Sequence, residues 1–277
     1  MNNPTFVHIG AQRCGTTWMY KCISEHHRVF TPEKKELHYF NGVNYERGDE
    51  WYLNHFTPKS HHETWGEATP GYLSAQPEGR SVPACLAEMS PDCRIICCVR
   101  NPIDRAYSQW KRFSGDGEGP SFEHAIEENI NNCLGRGLYA KHLERWFCHF
   151  PRDQMLIQVH EDVFRNNERA VSEVYRHIGV DPSYTPSWLG KSQNSVILPR
   201  VQRGIRRAGF GGLIRVAKRS PLGTWVRKIH QYLRLWKGAG YQQEMSKKTR
   251  QRLKEYFAEP NRELERLLGR ELSGWPT

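Results

Sequence analysis

A glycine-bounded loop near the start of the chain has residue types that hold anions. Residues 10–18 read GAQRCGTTW, so Gly10 and Gly15 have the spacing of the ATP-binding pattern G-x-x-x-x-G-K-S/T. Thr16 stands where that pattern has lysine, and Arg13 supplies a basic residue inside the loop. Such a loop points backbone N–H groups at an anion, and the following helix adds its positive end. This anion site suits a phosphosulfate better than a triphosphate, because a phosphosulfate carries less charge and needs no bridging magnesium.

A second group of polar residues follows an apolar run further along the chain. Residues 100–110 read RNPIDRAYSQW, and Arg100 stands at the end of the apolar run while Ser108 lies two helical turns later. A guanidinium with a hydroxyl is a good receptor for a phosphate monoester. Taken singly, Arg100 could instead form an ion pair beside a helix, and the first loop could be an ordinary strand–turn–helix. Both groups on one sheet favour a nucleotide site.

The elements that must position these residues alternate between strand and helix patterns. Apolar runs predict strands at residues 5–9, 94–99 and 155–159. Helical spacing predicts helices at residues 16–26, 82–89, 103–113, 139–150 and 168–178, with a further helix starting at Ser121. The alternation predicts an α/β fold with a parallel central sheet flanked by helices. Residues 34–41 are expected to form a short helical turn, and residues 66–73 a short strand or an extended segment broken by Pro70.

The two groups together resemble the sulfotransferases that use 3′-phosphoadenosine 5′-phosphosulfate (PAPS). Residues 13–18 (RCGTTW) resemble the 5′-phosphosulfate loop, and Arg100 with residues 105–108 (RAYS) resembles the 3′-phosphate site. Residues 35–41 (KELHYFN) are similar to the KE-x-x-F-F segment of the heparan-sulfate-type, carbohydrate-modifying branch. The likeness continues at residues 51–52, 66–72, 139–146 and 255–275. It implies one sulfotransferase domain over residues 1–277, with a P-loop-like nucleotide-binding fold.

The resemblance implies a set of cofactor-binding residues. It places Arg13 and Cys14 in the loop, and the backbone of the next three residues around the 5′-phosphosulfate. The resemblance puts Trp18 against adenine, although helical spacing alone would make it a core residue. Arg100 and Ser108 are implied to hold the 3′-phosphate. The residues of the 5′-phosphosulfate loop are Arg13, Cys14, Gly15, Thr16, Thr17 and Trp18.

The resemblance also implies catalytic roles, for a reaction whose nucleotide product is adenosine 3′,5′-bisphosphate and for which no metal is expected. Sulfuryl transfer is an in-line displacement, so positioning and electrostatic stabilisation should dominate. Arg13 is implied to stabilise the leaving group, and Glu36 to take the acceptor proton. His38 either orients Glu36 or is itself the base. A surface carboxylate in a charged turn is the alternative for Glu36, and a structural role is the alternative for His38.

Two positions depart from the family pattern. The family usually has lysine where this chain has Arg13, and arginine keeps the charge but does not give up a proton. Heparan-type members often carry a second lysine where this chain has Ala68, within the sequence EATP at residues 67–70. The electrostatics on the acceptor side therefore differ, which weakens any transfer of heparan-like specificity.

The positive charge of the chain is concentrated in one segment. The net charge is +10, and residues 200–254 hold sixteen Lys and Arg with one acidic residue, Glu244. Basic and apolar residues alternate at 210–235, which predicts a basic amphipathic helical insertion at about residues 200–240. It could cover an anionic acceptor, contact an anionic membrane surface, or form a solvated basic face. Nucleic acid is not expected as a partner, because no recognition motif supports it.

Cysteine usage and hydropathy bear on the compartment. The eight cysteines form no CxxC pair, and Cys97 and Cys98 are adjacent inside an apolar run, so free thiols are expected. No stretch approaches the roughly 18–20 apolar residues that span a bilayer, and the first residues lack a signal-peptide pattern. We therefore expect a cytoplasmic protein, peripheral at a membrane if the basic segment binds lipid.

Three functions remain open from the sequence. The leading expectation is a sulfotransferase that acts on a hydroxyl or amine of a carbohydrate or glycoconjugate, including a lipid-linked one. The second is a nucleotide or small-molecule kinase on the same P-loop-like fold, which Thr16 in place of lysine weakens. The third is an acceptor-binding protein without catalysis, against which Arg13 and Glu36 argue.

Overall fold

One parallel sheet organises the part of the chain that the computed structural model describes, residues 2–42, 44–114, 119–190 and 245–277. The strands lie in the order β2-β3-β1-β4-β5, and every neighbouring pair is parallel. They are β1 Phe6–Gly10, β2 Val29–Phe30, β3 Thr64–Ala68, β4 Arg94–Val99 and β5 Met155–Val159. The predicted α/β fold with a parallel central sheet is confirmed, and β2 is a strand that the sequence pattern did not predict.

The two central strands are apolar because they are buried on both faces. All five residues of β1 are buried, and so is every residue of β4 after Arg94. In β4 this burial extends over Ile95, Ile96, Cys97, Cys98 and Val99. Parallel sheets covered by helices on both sides have this continuous apolar pattern, which is why the runs could be predicted as strands.

Nine helices in the described ranges flank or extend this sheet. They are α1 Thr16–Glu25, α2 Gly48–Leu53, α3 Val82–Met89, α4 Pro102–Ser114, α5 Phe122–Glu127, α6 Tyr139–Phe147, α7 His160–Arg165, α8 Asn167–Ile178 and α9 Lys247–Leu268. The predicted helices correspond to α1, α3, α4, α5, α6 and α8. Helices α2, α7 and α9 were not predicted.

The helical turn expected at residues 34–41 is wrong. Glu36 and His38 have φ angles of 66° and 53°, which a right-handed helix cannot contain. The segment is tied to β3 and its following residues instead: the backbone N–H of Glu36 donates to the Ala68 carbonyl oxygen at 3.2 Å, and that of Tyr39 donates to the Tyr72 hydroxyl at 3.0 Å. These long-range bonds replace the local ones on which a helical turn depends.

The order of the strands defines where a ligand should bind. β1 lies between β3 and β4, so the chain completes one side of β1 with β2 and β3 before it crosses to the other side with β4 and β5. Open parallel sheets bind ligands outside the carboxyl ends of their strands at such a reversal. β1 ends at Gly10, where the predicted anion loop begins, and β4 ends at Val99, which Arg100 follows. The fold therefore brings the two predicted groups to one edge of the sheet.

The last helix closes a second hydrophobic cluster beside the main core. Leu253 and Phe257 of α9 are buried against α4 and α5, where Ile103 and Phe122 lie. On the outer face Arg250 pairs with Asp104 of α4 at 3.3 Å. The start of α9 is thus a basic face whose apolar side packs on the domain. The predicted insertion at about residues 200–240 lies outside the described residues.

The cysteines are free thiols, as expected. Six of the eight are buried, and Cys148 is exposed. Within the described ranges, no helix combines the length and the apolar character that crossing a membrane requires. The same ranges contain no group of three or more His, Cys, Asp or Glu side chains arranged to hold a metal ion.

Candidate active site

The anion loop occupies residues 10–15, between β1 and α1. Gly15 caps α1 in the left-handed conformation (φ 83°), and a Cβ at this position would lie 2.9 Å from the Phe164 ring. Thr16 and Thr17 begin the helix, so their backbone N–H groups have no acceptor within it. No side chain of the described residues caps this end of α1. The loop and the helix start therefore present backbone donors to the edge of the sheet.

Arg13 joins the loop to the second predicted group. Its Nε donates to the Ser108 Oγ at 3.1 Å, and the Arg100 Nη1 donates to the Arg13 carbonyl oxygen at 3.3 Å. The three residues that the sequence pattern assigned to two separate phosphate sites are thus in direct contact. The same contacts link the C-terminal edge of β1 to α4, which carries Ser108.

Arg13 lies in a cluster of positive charges. Burial lowers the pKa of Arg13, and the nearby cations Arg112 and Arg100 lower it further. No carboxylate in the described parts of the chain forms an ion pair with Arg13 or Arg100. A cationic cluster that lacks an acidic partner favours binding of an anion.

The backbone around Arg100 is held by three side chains. The Tyr139 hydroxyl donates to the Arg100 carbonyl oxygen at 2.8 Å. The Asn101 N–H donates to Glu161 at 3.0 Å, while the Asn101 side chain accepts from the N–H of Ile103 at 3.1 Å and so caps α4. Arg100 therefore has a fixed position at the end of β4.

Arg105, which belongs to the segment that resembles a 3′-phosphate site, points into the protein. It is fully buried, and its guanidinium donates to the Gln109 side chain and to the Cys133 carbonyl oxygen. Arg105 supports α4 from inside. Its charge contributes to the lowered pKa of Arg13, although the Arg105 side chain does not reach the surface.

Glu36 lies within a group of three ionisable side chains. Lys35 Nζ is 2.7 Å from Glu36 Oε1, and His38 Nε2 is 3.5 Å from Glu36 Oε2. The His38 bond and then the Lys35 bond lower the pKa of Glu36 to about 2. Glu36 in turn raises the pKa of His38, whose Nδ1 lies 3.1 Å from the Asn41 amide nitrogen. Glu36 is thus ionised at neutral pH, as a base must be, and His38 is placed to orient it.

Sequence reasoning missed Glu67, which supports the loop that carries Glu36. Glu67 is buried in β3 and accepts from the hydroxyls of Thr69 at 2.6 Å, Tyr72 at 2.8 Å and Tyr52 at 3.2 Å. Burial raises the pKa of Glu67, and these hydroxyl bonds oppose that shift. Thr69 and Tyr72 also accept from the backbone N–H groups of His38 and Tyr39. The sequence did contain a signal for Glu67, since it is an acidic residue inside a segment that was predicted to be extended.

Trp18 lies deeper than its expected place against adenine requires. The side chain is 3% exposed, and its indole N–H donates to the Trp188 carbonyl oxygen at 3.0 Å. Its ring centroid lies 5.2 Å from that of Phe164, which is 42% exposed and also contacts His160 at 4.6 Å. Phe164 therefore presents the exposed aromatic surface next to Gly15, and nothing in the first pattern pointed to it.

The acceptor side of the loop differs from the family pattern, as the sequence indicated. Ala68 ends β3 and is fully buried, with His8 of β1 as its partner in register. His8 is also fully buried, and within the described residues neither of its ring nitrogens has a hydrogen-bond partner. Burial and then the charge of Lys35 lower the pKa of His8 to about 3, so this pair carries no positive charge at neutral pH. The sequence patterns also missed a basic residue, Arg136, which donates to the Gln12 side chain.

Comparison with known proteins identifies related chains. The model of the sulfotransferase domain matches residues 3–197. The human bifunctional heparan sulfate N-deacetylase/N-sulfotransferase 3 is 31% identical over 206 residues, which are 66% of this chain and 23% of that protein. The bovine enzyme 2 of the same name is 28% identical over 200 residues, or 65% of this chain and 22% of that protein. This chain thus matches less than a quarter of the length of these relatives.

One solved structure covers the whole chain. The crystal structure of a sulfotransferase from Alicyclobacillus acidocaldarius superposes with a TM-score of 0.73 over 100% of both chains, at 22% sequence identity. At that identity the likeness establishes the fold.

Proposed function

Since this chain belongs to the family of sulfotransferase domains, we propose that it transfers a sulfuryl group from PAPS to a hydroxyl or amine of a carbohydrate acceptor. The observation that carries the proposal is the contact among Arg13, Arg100 and Ser108 at the end of the central strands. It joins a backbone anion loop to a phosphate receptor at the reversal of the sheet, where open α/β folds bind nucleotides.

The residues present fit PAPS. The donors at the sheet edge are guanidinium groups, one hydroxyl and helix N–H groups, and the loop is shaped around Gly15, where a side chain would collide with Phe164. This set matches two anionic groups on one ligand. Gly15, Thr16 and Thr17 would hold the 5′-phosphosulfate by their backbone, with Arg13 and Cys14 in the same loop. Arg100 and Ser108 would hold the 3′-phosphate.

Aromatic residues near the loop would take the adenine. Trp18 and Phe164 are in contact, and Phe164 is the more exposed of the two. The resemblance favours Trp18 as the residue that contacts adenine. The greater exposure of Phe164 favours direct stacking of the base on Phe164, with Trp18 behind it. Both are included in the proposed adenine site, since a base stacked on Phe164 would also be near Trp18.

The chain's own residues supply the proton transfer and the charge stabilisation. PAPS, when bound, supplies an activated sulfuryl group and a leaving group whose bridging oxygen gains negative charge. Arg13 stabilises that charge, for which its fixed guanidinium suits it. Glu36 accepts the proton of the acceptor, and His38 holds the carboxylate by the bond to its second oxygen.

A glycan is the proposed acceptor class. The two relatives described above carry heparan sulfate N-sulfotransferase in their names. Ala68 removes one cation that the resemblance implies on the acceptor side. The proposal therefore extends to carbohydrates bearing a free hydroxyl or amine, and does not fix the position that is sulfated.

The experiment that tests this function is transfer of label from ³⁵S-PAPS to a panel of glycans with free hydroxyls and amines. Glu36→Gln should abolish transfer while binding of adenosine 3′,5′-bisphosphate persists. Glu33→Gln is the matched control, because Glu33 is an exposed carboxylate three residues away on the same segment. Absence of labelled product with every acceptor, or full activity of Glu36→Gln, would contradict the proposal.

A further inference from the structure

Lys35 lies between the anion loop and the Glu36 carboxylate. Its Nζ is 2.7 Å from Glu36 Oε1, and it also donates to the Thr17 hydroxyl at 3.4 Å. The Lys35 side chain is only 17% exposed, which is low for a lysine. Thr17 belongs to the first turn of α1, whose N-terminal N–H groups face the loop. One ammonium group therefore connects the base to the end of the helix that would hold the sulfuryl-bearing phosphate.

Lys35 lies close to His8 of β1 and its partner in register, Ala68 of β3. The charge of Lys35 contributes to the lowered pKa of His8. His8 is neutral and fully buried, so these two residues add no positive charge beside Lys35. Lys35 thus supplies a cation beside Thr17 at the start of α1, on a segment bonded to Ala68, the position where heparan-type members often have a lysine.

We propose that Lys35 is a catalytic residue whose ammonium exchanges the Glu36 carboxylate for the sulfuryl oxygens when PAPS binds, which releases Glu36 to act as the base. This inference rests on the proposed function. It assigns to Lys35 two successive partners, the carboxylate and the sulfuryl oxygens, that its flexible four-carbon side chain reaches from one backbone position.

Lys35 acts as an electrostatic catalyst in the transfer step. The bond between sulfur and the bridging phosphate oxygen breaks, and its electron pair leaves with adenosine 3′,5′-bisphosphate. The acceptor oxygen or nitrogen forms the new bond to sulfur, and its proton passes to Glu36. Lys35 gains and loses no proton, because its ammonium only stabilises negative charge on the sulfuryl oxygens.

The exchange of partners would couple the strength of the base to cofactor loading. The hydrogen bonds from His38 and Lys35 together hold the pKa of Glu36 at about 2, which makes the carboxylate a weak proton acceptor. Moving the ammonium away removes one of these two bonds, and the pKa of Glu36 rises. The charged groups around Glu36 are Lys35 and His38 on its own segment and the buried Glu67 of β3, which acts on His38.

Nucleotide binding tests the inference without measuring turnover. Calorimetric titrations should compare PAPS, in the absence of acceptor, with adenosine 3′,5′-bisphosphate, which lacks the sulfuryl group. Lys35→Met should weaken PAPS binding about tenfold, as expected for loss of a charge-assisted contact, and change bisphosphate binding less than about twofold. Lys34→Met, which removes an exposed lysine one position away, should change neither. Lys35→Arg keeps the charge and should retain most of the preference, which guards against misfolding of Lys35→Met.

A second readout follows the Glu36 carboxyl directly. In protein labelled with ¹³C-glutamate, with Glu36→Gln for assignment, the pKa of Glu36 should rise when PAPS is added and stay low with the bisphosphate. Equal losses of affinity for both nucleotides in Lys35→Met, or an unchanged pKa on PAPS binding, would overturn the role of Lys35. Wild-type protein that binds neither nucleotide would instead contradict the proposed function itself.

Discussion

Glu67→Gln should destabilise the protein and displace the loop that carries Glu36. Glu67 accepts three hydroxyl hydrogen bonds, from Tyr52, Thr69 and Tyr72. A glutamine amide of the same shape has one oxygen, which can still accept from both tyrosines, but its NH₂ group faces the Thr69 hydroxyl and cannot accept from it. The substitution therefore removes one charge-assisted bond and turns two others into neutral ones.

The size of this effect follows from the bonds that change. Loss of the Thr69 bond costs about 2 kcal/mol, and each tyrosine bond weakens by about 1 kcal/mol when the acceptor loses its charge. The smaller desolvation penalty of an amide offsets part of that sum. We expect the free energy of unfolding to fall by about 2–3 kcal/mol.

Urea denaturation followed by tryptophan fluorescence measures the change. The matched control is Glu63→Gln, since Glu63 forms an exposed ion pair with Arg28 immediately before β3 and should contribute less than about 1 kcal/mol. The turnover of Glu67→Gln should fall while adenosine 3′,5′-bisphosphate still binds, because the N–H groups of His38 and Tyr39 rely on Thr69 and Tyr72. If Glu67→Gln were as stable as Glu63→Gln, the proposed support of the loop by Glu67 would be refuted.

Three further predictions concern Arg13, Arg100 and His8. Arg13→Ala should lower kcat by about 10²-fold or more with a smaller change in nucleotide affinity, since its charge acts on the leaving group; equal losses in kcat and affinity, measured by steady-state kinetics and calorimetry, would assign it to binding. Arg100→Ala should weaken binding of adenosine 3′,5′-bisphosphate by about 2–3 kcal/mol and leave adenosine 5′-phosphate unaffected, and loss of both would contradict contact with the 3′-phosphate. The pKa of His8 is lowered to about 3 in the folded protein. The unfolded chain binds a proton at this histidine near pH 6.5, whereas the folded protein does so only near pH 3, so the free energy of unfolding falls as pH falls from about 6.5 to 3. Between pH 7 and 5, wild type should lose about 2 kcal/mol more in urea unfolding than His8→Leu, and parallel losses would contradict this account.

Much of the site could be predicted because it depends on the ends of buried strands. β1 and β4 are apolar except for His8 and Arg94, so their runs predict strands, and the residues that follow them must meet at the sheet edge. That placement is why Arg13, Arg100 and Ser108 could be brought together from sequence and are in contact in the structure.

The remainder depends on contacts between distant segments, which local patterns do not encode. The segment with Glu36 was expected to be helical, but its backbone is bonded to Ala68 and to the Tyr72 hydroxyl. The burial of Trp18 depends on Trp188, which lies 170 residues away. Glu67 is a charged residue in a buried strand, a combination that composition alone disfavours. Its role became visible only through the three hydroxyls that surround it.

The most direct test of the account is a calorimetric titration of the wild-type protein with adenosine 3′,5′-bisphosphate, with adenosine 5′-phosphate and magnesium–ATP as comparators. The account predicts tight binding that requires the 3′-phosphate and does not change when magnesium is added, because the Arg13, Arg100 and Ser108 group supplies the receptor for the second phosphate. Preference for magnesium–ATP over the bisphosphate would contradict the account and would identify the site as that of a kinase.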